Sequence, residues 1–345
     1  MPLTLTIEKN VPLQPYNSLS LPAQAEFFCA VGNLEDLGEA LNFAKKGQLN
    51  VTPLGGGSNV VLSGDIAGLV IQLNLLGMSY AIEGAAVQVT FAAGENWHRA
   101  VITTLQKGWF GMENLSLIPG NMGAAPIQNI GAYGVELADL FHSLRAMEVA
   151  TGKVVTFTKA QCQFGYRDSL FKTQCRDQYI ILDVTLSLTT EPQVNLSYPA
   201  LRSAAEGHAN YPNLTAIDVS ELVMAIRRDK LPDPLNLPNA GSFFKNPVVS
   251  AARAADLLLR YPDMPHFAQA LSQVKIPAAW LIDQCGFKGA IRGAVGVHSQ
   301  QALVLVNFGG GTGQQLLGLA DEISTAVAER FAIALELEPR VYGPC

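Results

Sequence analysis

The sequence predicts an α+β fold in more than one domain. Three observations carry this: short helical patterns lie scattered among many strands, the texture changes after about residue 190, and the chain is long. Its 345 residues suffice for two or three domains at about 150 residues each. A content of 49% hydrophobic and 15% charged residues, with 31 glycines and 19 prolines, suits a well-buried, loop-rich globular protein and excludes a disordered one.

The elements follow in order. Residues 34–46, LEDLGEALNFAKK, repeat their apolar positions at helical spacing, and 50–54, NVTPL, read as a strand. GGGSNVVLSG (55–64) is a glycine loop entering more β structure. Residues 86–93 alternate as a strand, and 95–108 form a helix that ends at a glycine. Thr151-Gly152-Lys153 separates 143–150 from 154–158 as a hairpin turn, and 178–188 is another strand. Residues 191–213 are polar, proline-containing and loop-like. A helix is expected over 216–231 with Asp218 or Ser220 as its N-cap, another over 250–261 capped by Ser250, and a third over 278–285. A strand over 302–307, the loop GGGTG, a long amphipathic helix over 314–331 and a strand over 334–343 complete the chain.

The net charge of −6 argues against a nucleic-acid or anionic-membrane binder, so an anionic ligand needs a local basic cluster. Five cysteines, scattered and without C-x-x-C spacing, read as reduced thiols rather than a disulfide framework or zinc site. The five histidines are far apart, and no metal motif is expected. The N-terminal MPLTLTIEKN has no signal-peptide core, and no apolar run approaches the roughly 20 residues of a membrane span. The expectation is a cytoplasmic protein without membrane insertion.

Three glycine runs compete as phosphate sites. GGGTG (309–313) sits between a strand and a helix, yet it fits neither G-x-G-x-x-G nor G-x-x-x-x-G-K-[ST]. It is expected to be a plain connection. GGGSN (55–59) exposes successive backbone N–H groups as an anion nest, although a bare glycine turn explains it equally. IPGNMGAAPIQNIGAYG (118–134) has almost no large side chain before Tyr133 and lets backbone approach a flat polar ligand. Together the last two runs suggest a pyrophosphate-and-ring site outside dinucleotide-fold geometry.

In chain order, LGGGSN, AGENW, ENLSLIPG, PIQNIGAYGVE, FGYRDSLFK, KLPDP, AGSFFKNP, AAWLIDQ, QQALVLVN and LELEPRV span nearly the whole sequence. In these the chain resembles the UDP-N-acetylenolpyruvoylglucosamine reductase family, FAD enzymes that complete UDP-N-acetylmuramate in peptidoglycan synthesis. The resemblance implies a two-part FAD-binding domain of the vanillyl-alcohol-oxidase (PCMH) type plus a separate α+β substrate-binding domain. The expected divisions are 1–70 and 71–213 for the FAD-binding parts, with 332–345 returning to the second, and 214–331 for the substrate domain. FAD would be held by Gly55, Gly56, Gly57, Ser58 and Asn59 of the first loop, and by Pro119, Gly120, Gln128, Asn129, Gly131, Ala132 and Gly134 of the second. Neither loop contains histidine, so the FAD is expected to be non-covalent.

Family members pass hydride from NADPH to FAD and on to the enolpyruvyl methylene carbon, which leaves the adjacent carbon in need of a proton. By resemblance Ser242 is the proton donor, in a site dried by Phe243 and Phe244. Local sequence alone reads Ser242 as a turn serine. Arg167 would grip the enolate carboxylate, or else form an ordinary ion pair. Its neighbour Asp168, in an extended segment, would point to the opposite face.

Glu336 and Glu338 share one strand face, roughly 7 Å apart. The family motif makes Glu338 catalytic, and Glu336 reads as solvated. A charged Glu338 against the substrate carboxylate would cost up to about 4 kcal/mol, so it is expected to be protonated, or bridged through Arg167 or water. Arg227, Arg228 and Lys230, with Lys245, are the expected positive patch, although Arg228 reads equally as a solvated charge. The positive patch nominates Arg227 for the substrate, and the resemblance puts Lys230, Asn246 and Gln301 on the UDP-sugar, Tyr198 as a lid tyrosine, and Tyr133 on the substrate side of the flavin site.

The three catalytic residues are expected to meet at a domain junction, where NADPH and the enolpyruvyl sugar take turns in one cleft. The alternatives are a generic flavin oxidase or dehydrogenase, marked by rapid oxygen reaction, and a colourless nucleotide-sugar binding protein.

Overall fold

A computed structural model describes residues 5–344; residues 1–4 and Cys345, the last of the five expected thiols, lie outside the described residues. The chain forms two compact units. The first comprises residues up to Val11, Ala25–Gly57 and Ala67–Asp229; the second comprises Pro12–Gln24, Ser58–Ile66 and everything from Lys230.

In the first unit a four-stranded sheet has the order Glu8–Pro12, Gln24–Val31, Ile66–Leu73, Val51–Leu54, with the last two parallel. The helix Leu34–Gly47 starts where Asn33 Oδ1 accepts the Asp36 N–H (2.9 Å) and buries Leu37, Ala40, Leu41 and Ala44. Those residues share a core with Val31, Leu69 and Ile71, and with Met147, Ile180 and Leu182 of a second sheet. That second sheet is antiparallel, with the order Val154–Thr158, Phe141–Glu148, Tyr179–Thr189, Ala86–Ala92, Met78–Glu83. The expected hairpin is present, in the register Ser143↔Thr158 to Met147↔Val154. Helix Trp97–Gln106, capped by Asn96, packs on this sheet through Trp97, Ala100 and Val101.

Residues 191–213 are not only loop: Pro199–Glu206 is helical. Proline at the first turn donates no needed N–H, and Leu201 packs on Val219 and Val223 of the helix Ala216–Lys230. That contact draws 214–229, expected in the substrate domain, into the first unit. The cap of Ala216–Lys230 is Thr215 rather than Asp218 or Ser220. Thr215 Oγ1 accepts the Asp218 N–H (3.1 Å) while Asp218 Oδ2 accepts the Thr215 N–H (2.7 Å), a reciprocal cap in which the third residue answers the first.

The second unit is built on the antiparallel sheet Asn239–Ser242, Val304–Asn307, Val295–Val297, Ile291–Arg292, with a smaller sheet of Val248–Ser250, Gln273–Lys275 and Phe267–Gln269. Ser250 caps the helix Ala251–Arg260 as expected, its Oγ accepting the Arg253 N–H (3.2 Å). The loop GGGTG is a plain connection. Asn307 Oδ1 accepts the N–H groups of Gly309 and Gly311 (both 3.0 Å), and Thr312 caps the helix Gly313–Phe331.

The C-terminal segment is not one strand over 334–343. Leu337 pairs with Phe244, whereas Arg340–Tyr342 pairs in parallel with Val60–Leu62. Pro339 stands between the two and has no N–H with which to continue a ladder. The expected return of 332–345 to residues 71–213 is thus replaced by pairing within the second unit.

A Cβ on Gly313 would lie 1.9 Å from the Leu62 carbonyl oxygen. Gly313→Ala is therefore expected to destabilise the protein by at least about 1–3 kcal/mol, read as a clear drop in thermal midpoint. An unchanged melting curve would contradict the close packing of this helix start on Val60–Leu62.

Candidate functional site

In the first unit the two glycine runs meet. A Cβ on Gly56 would stand 2.9 Å from Asn121 Oδ1 and 3.2 Å from the Gly120 Cα, so the glycine lies against backbone and the Asn121 side chain with little room for one of its own. The run then makes a tight helical turn over Met122–Gln128 that ends at Asn129 in the left-handed conformation (φ +46°). Buried Asn129 is fully engaged by its own chain. Its Nδ2 donates to Glu136 Oε2 (2.7 Å) and to the Gly165 carbonyl (3.0 Å), and its Oδ1 accepts the Ala138 N–H (2.9 Å). Both Nδ2 hydrogens of Asn129 are thus spent within the chain. Gly131–Ala132 and Val135–Glu136 pair across a two-residue turn in which Tyr133 and Gly134 both hold positive φ, +48° and +87°. This is the mirror-image turn whose twist matches a hairpin.

Arg167 is not in an extended segment. Gly165 and Asp168 exchange both backbone hydrogen bonds (3.0 and 3.2 Å), and Arg167 sits in the intervening tight turn at φ +54°. Alternation therefore does not set the direction of its side chain. One guanidinium nitrogen donates to the Gly131 carbonyl (2.7 Å), which aims the group at the hairpin bearing Tyr133. Arg227 belongs to the same neighbourhood, and its Nε donates to the Leu117 carbonyl (3.2 Å). Burial lowers the Arg227 pKa, the Tyr133 hydroxyl opposes this, and the like charge of Arg167 adds to it. Two guanidiniums that repel one another favour an anion beside them.

The rings of Tyr133 and Tyr198 meet edge to face, 5.3 Å apart at 75°. Tyr198 immediately precedes the helix Pro199–Glu206 and remains 41% exposed, so it is placed to cover whatever lies against Tyr133. Burial raises the Tyr133 pKa. Buried Asn114 ties the two tyrosine segments together, its Nδ2 donating to the carbonyls of Tyr133 (2.8 Å) and Asn195 (2.9 Å).

In the second unit Ser242 ends the strand Asn239–Ser242, opposite Val304, and Phe243 and Phe244 are fully buried behind it. The Glu338 N–H donates to the Phe243 carbonyl (3.0 Å) and the Lys245 N–H to the Glu336 carbonyl (2.9 Å). The serine and glutamate segments are thus antiparallel neighbours. Asn59 Nδ2 donates to the Glu338 carbonyl (3.4 Å), and the Arg340 N–H donates to the Asn59 carbonyl (3.0 Å), which places one expected flavin residue on the same ladder.

Lys245 does not contribute a free charge to a basic patch. Its Nζ lies 2.5 Å from Glu336 Oε1, with the lysine side chain 12% and the glutamate 67% exposed. Glu336 is solvated as expected, yet paired. Asn246 Oδ1 accepts the Ala278 N–H (2.9 Å) at the start of the helix Ala278–Gln284. A ligand contact by this residue would therefore use the Nδ2 donor. Gln301 sits in the turn before Val304–Asn307, its carbonyl accepting the Val304 N–H (3.0 Å). Lys230 is exposed at the end of Ala216–Lys230.

The family model for an FAD binding domain matches residues 25–158, and that for the UDP-N-acetylenolpyruvoylglucosamine reductase C-terminal domain matches 233–342. The UDP-N-acetylenolpyruvoylglucosamine reductase of Pseudomonas fluorescens is 46% identical over 342 residues, covering 99% of this chain and all of that protein. The chain belongs to the UDP-N-acetylenolpyruvoylglucosamine reductase family. The reductase of Pseudomonas aeruginosa is 45% identical over 341 residues, again 99% of this chain. The reductase structure from Thermus caldophilus, at 24% identity, covers 98% of this chain and all of its own with a TM-score of 0.69; it shares the fold.

The reductase-family cofactor fits the residues present. Close packing of Gly55 and Gly56 on Gly120 and the Asn121 side chain makes a wall with little bulk, against which FAD pyrophosphate and ring can lie. Sequence reasoning missed Asn114, Asn195, His98 and Leu117. Asn114 lies inside the ENLSLIPG motif, so it was findable; the left-handed backbone of Leu117 (φ +59°) has no local signal.

Two outcomes follow from this geometry. Gly56→Val is expected to lower FAD retention at least about tenfold, because the bulk meets backbone; fluorescence of released flavin measures it, and a fully yellow variant would refute the close approach. Lys245→Met should slow turnover about two- to fivefold while changing stability by less than about 1 kcal/mol, because a pair whose carboxylate is solvated aligns the glutamate segment more than it stabilises it. Unaltered turnover would remove Lys245 from that role.

Proposed function

We propose that this chain catalyses the NADPH-dependent reduction of the enolpyruvyl group of UDP-N-acetylglucosamine enolpyruvate, giving UDP-N-acetylmuramate for peptidoglycan synthesis in the cytoplasm. The observation that carries the reading is the antiparallel pairing of the Ser242–Lys245 segment with Glu336–Glu338, inside the region matched by the reductase C-terminal domain. No helix among the described residues is long and apolar enough to cross a membrane.

The first unit binds FAD non-covalently through Gly55–Gly57 and 118–134, and the second unit recognises most of the UDP-sugar. FAD supplies the two-electron relay between NADPH and the enolpyruvyl double bond. The chain does the rest. Ser242 delivers a proton from its hydroxyl to the carbon that bears the carboxylate, with Phe243 and Phe244 keeping the surroundings dry. Arg167 holds that carboxylate and disperses its developing charge. Glu338, kept beside Phe243 by its backbone hydrogen bond, orients or replenishes the serine proton. Lys230, Asn246, Gln301 and Arg227 hold the diphosphate and sugar, and Tyr198 closes over them.

The test is anaerobic oxidation of NADPH by the purified protein, with and without the enolpyruvyl sugar. Sustained turnover is expected only with the sugar present. Ser242→Ala should leave reduction by NADPH intact and slow reoxidation by the sugar by about 10²–10⁴-fold. Fast reoxidation by oxygen with no response to the sugar would mark a flavin oxidase instead. A colourless protein that still binds UDP-sugars would mark a binding protein.

A further inference from the structure

The loop that precedes Ile118-Pro119-Gly120 is held by an unusual set of partners. Leu117 carries a side chain at φ +59°, a conformation that L-residues avoid. Its N–H donates to His98 Nδ1 (3.0 Å), and its carbonyl accepts from Arg227 Nε (3.2 Å). Neighbouring bonds brace the same stretch. Trp97 Nε1 donates to the Leu115 carbonyl (2.9 Å), the Trp97 N–H donates to the Gly120 carbonyl (3.0 Å), and the hydroxyls of Ser116 and Ser220 lie 2.7 Å apart. The first turn of Trp97–Gln106 and one face of Ala216–Lys230 therefore grip 115–120 from two sides.

We propose that His98 is a positioning residue for the flavin: its neutral imidazole, by accepting at Nδ1, holds Leu117 left-handed and so presents Ile118–Gly120 to the cofactor. This rests on the FAD-binding role proposed above. An imidazole that accepts at Nδ1 carries its proton on Nε2. Protonation would set a second N–H against the Leu117 N–H and break the clamp. The charged groups that face His98 are Arg227 and Arg228 of Ala216–Lys230, and they reinforce burial in keeping its pKa below the ordinary histidine value. The clamp is consequently intact at neutral pH and is lost as pH falls below the ordinary histidine range, which gives flavin affinity an acid limb.

The experiment is fluorescence titration of FAD into flavin-stripped protein at about pH 8 and about pH 4.5, the lower value about two units beneath the ordinary histidine pKa of about 6.5 because burial and two arginines hold His98 below it. The parent should bind more weakly at the lower pH. His98→Ala should bind about tenfold more weakly than the parent at the higher pH, the loss of one part-buried hydrogen bond. His98→Asn places Oδ1 where Nδ1 stood and cannot titrate, so it should bind as the parent does at high pH and lose little affinity at low pH. His98→Gln, whose carbonyl reaches the Nε2 position instead, should behave as His98→Ala. The inference is overturned if His98→Ala and His98→Gln match the parent, or if His98→Asn keeps the parental acid limb. A parent that binds no FAD at either pH would overturn the cofactor role itself, and this inference with it; a parent that binds FAD while the variants fail the pattern overturns only the inference.

Discussion

Left-handed backbone at Leu117, Asn129, Tyr133 and Arg167 is the constraint on which the flavin unit depends. Each side-chain-bearing residue held there costs on the order of 1–2 kcal/mol, and such strain persists only where surrounding bonds over-determine it. Here the bonds are explicit. Asn129 fastens the hairpin strand and the Gly165 carbonyl at once, the Arg167 guanidinium returns to Gly131, and Asn114 holds the Tyr133 carbonyl. These contacts form a connected set that joins the turn carrying Arg167 to the turn carrying Tyr133. Strain, hydrogen bonding and the positions of Arg167 and Tyr133 are therefore one arrangement.

The second unit solves a different problem. A serine is a weak acid in water, and the proton-donor role proposed for Ser242 requires a dry setting and a fixed partner. Two fully buried phenylalanines supply the first. The second comes from the chain's last segment, which returns to pair at Leu337 and then, after Pro339, leaves to pair with Val60–Leu62. A proline at that point lets one short segment serve two ladders. Asn59 and Asn246 show the same economy: each uses its side chain to secure the local backbone while lying among the residues assigned to ligands.

An anionic substrate must be attracted by local cations, because the chain carries a net charge of −6. Lys245, which looks from the sequence like part of a basic patch, is neutralised by Glu336. The cations that remain beside the tyrosine pair are Arg167 and Arg227, close enough that the charge of one disfavours the other. A bound carboxylate or phosphate is then attractive for a reason intrinsic to the folded unit. The buried thiols take no part in this. Burial pushes Cys29 and Cys162 up to about 12, where thiolate chemistry is closed.

By itself the sequence determined the elements whose signals are local. Local patterns placed helices over 34–46, 95–108, 250–261 and 314–331 and strands over 86–93 and 178–188, each close to the observed bounds, and the absence of lysine and a third spaced glycine marked GGGTG as a connection. Long ordered motifs identified the family and nominated Arg167, Ser242 and Glu338. Tertiary structure decided what depends on contacts between distant residues. The helix Pro199–Glu206 exists because Leu201 meets Val219 and Val223, the last strand divides because two separate partners await it, and Lys245 loses its free charge to a residue 91 positions away. Above all, the turn at Arg167 and the left-handed Leu117 carry no local signature. They are held by hydrogen bonds that Gly131 and His98 accept and Arg227 donates, and partners so far along the chain become neighbours only when it folds.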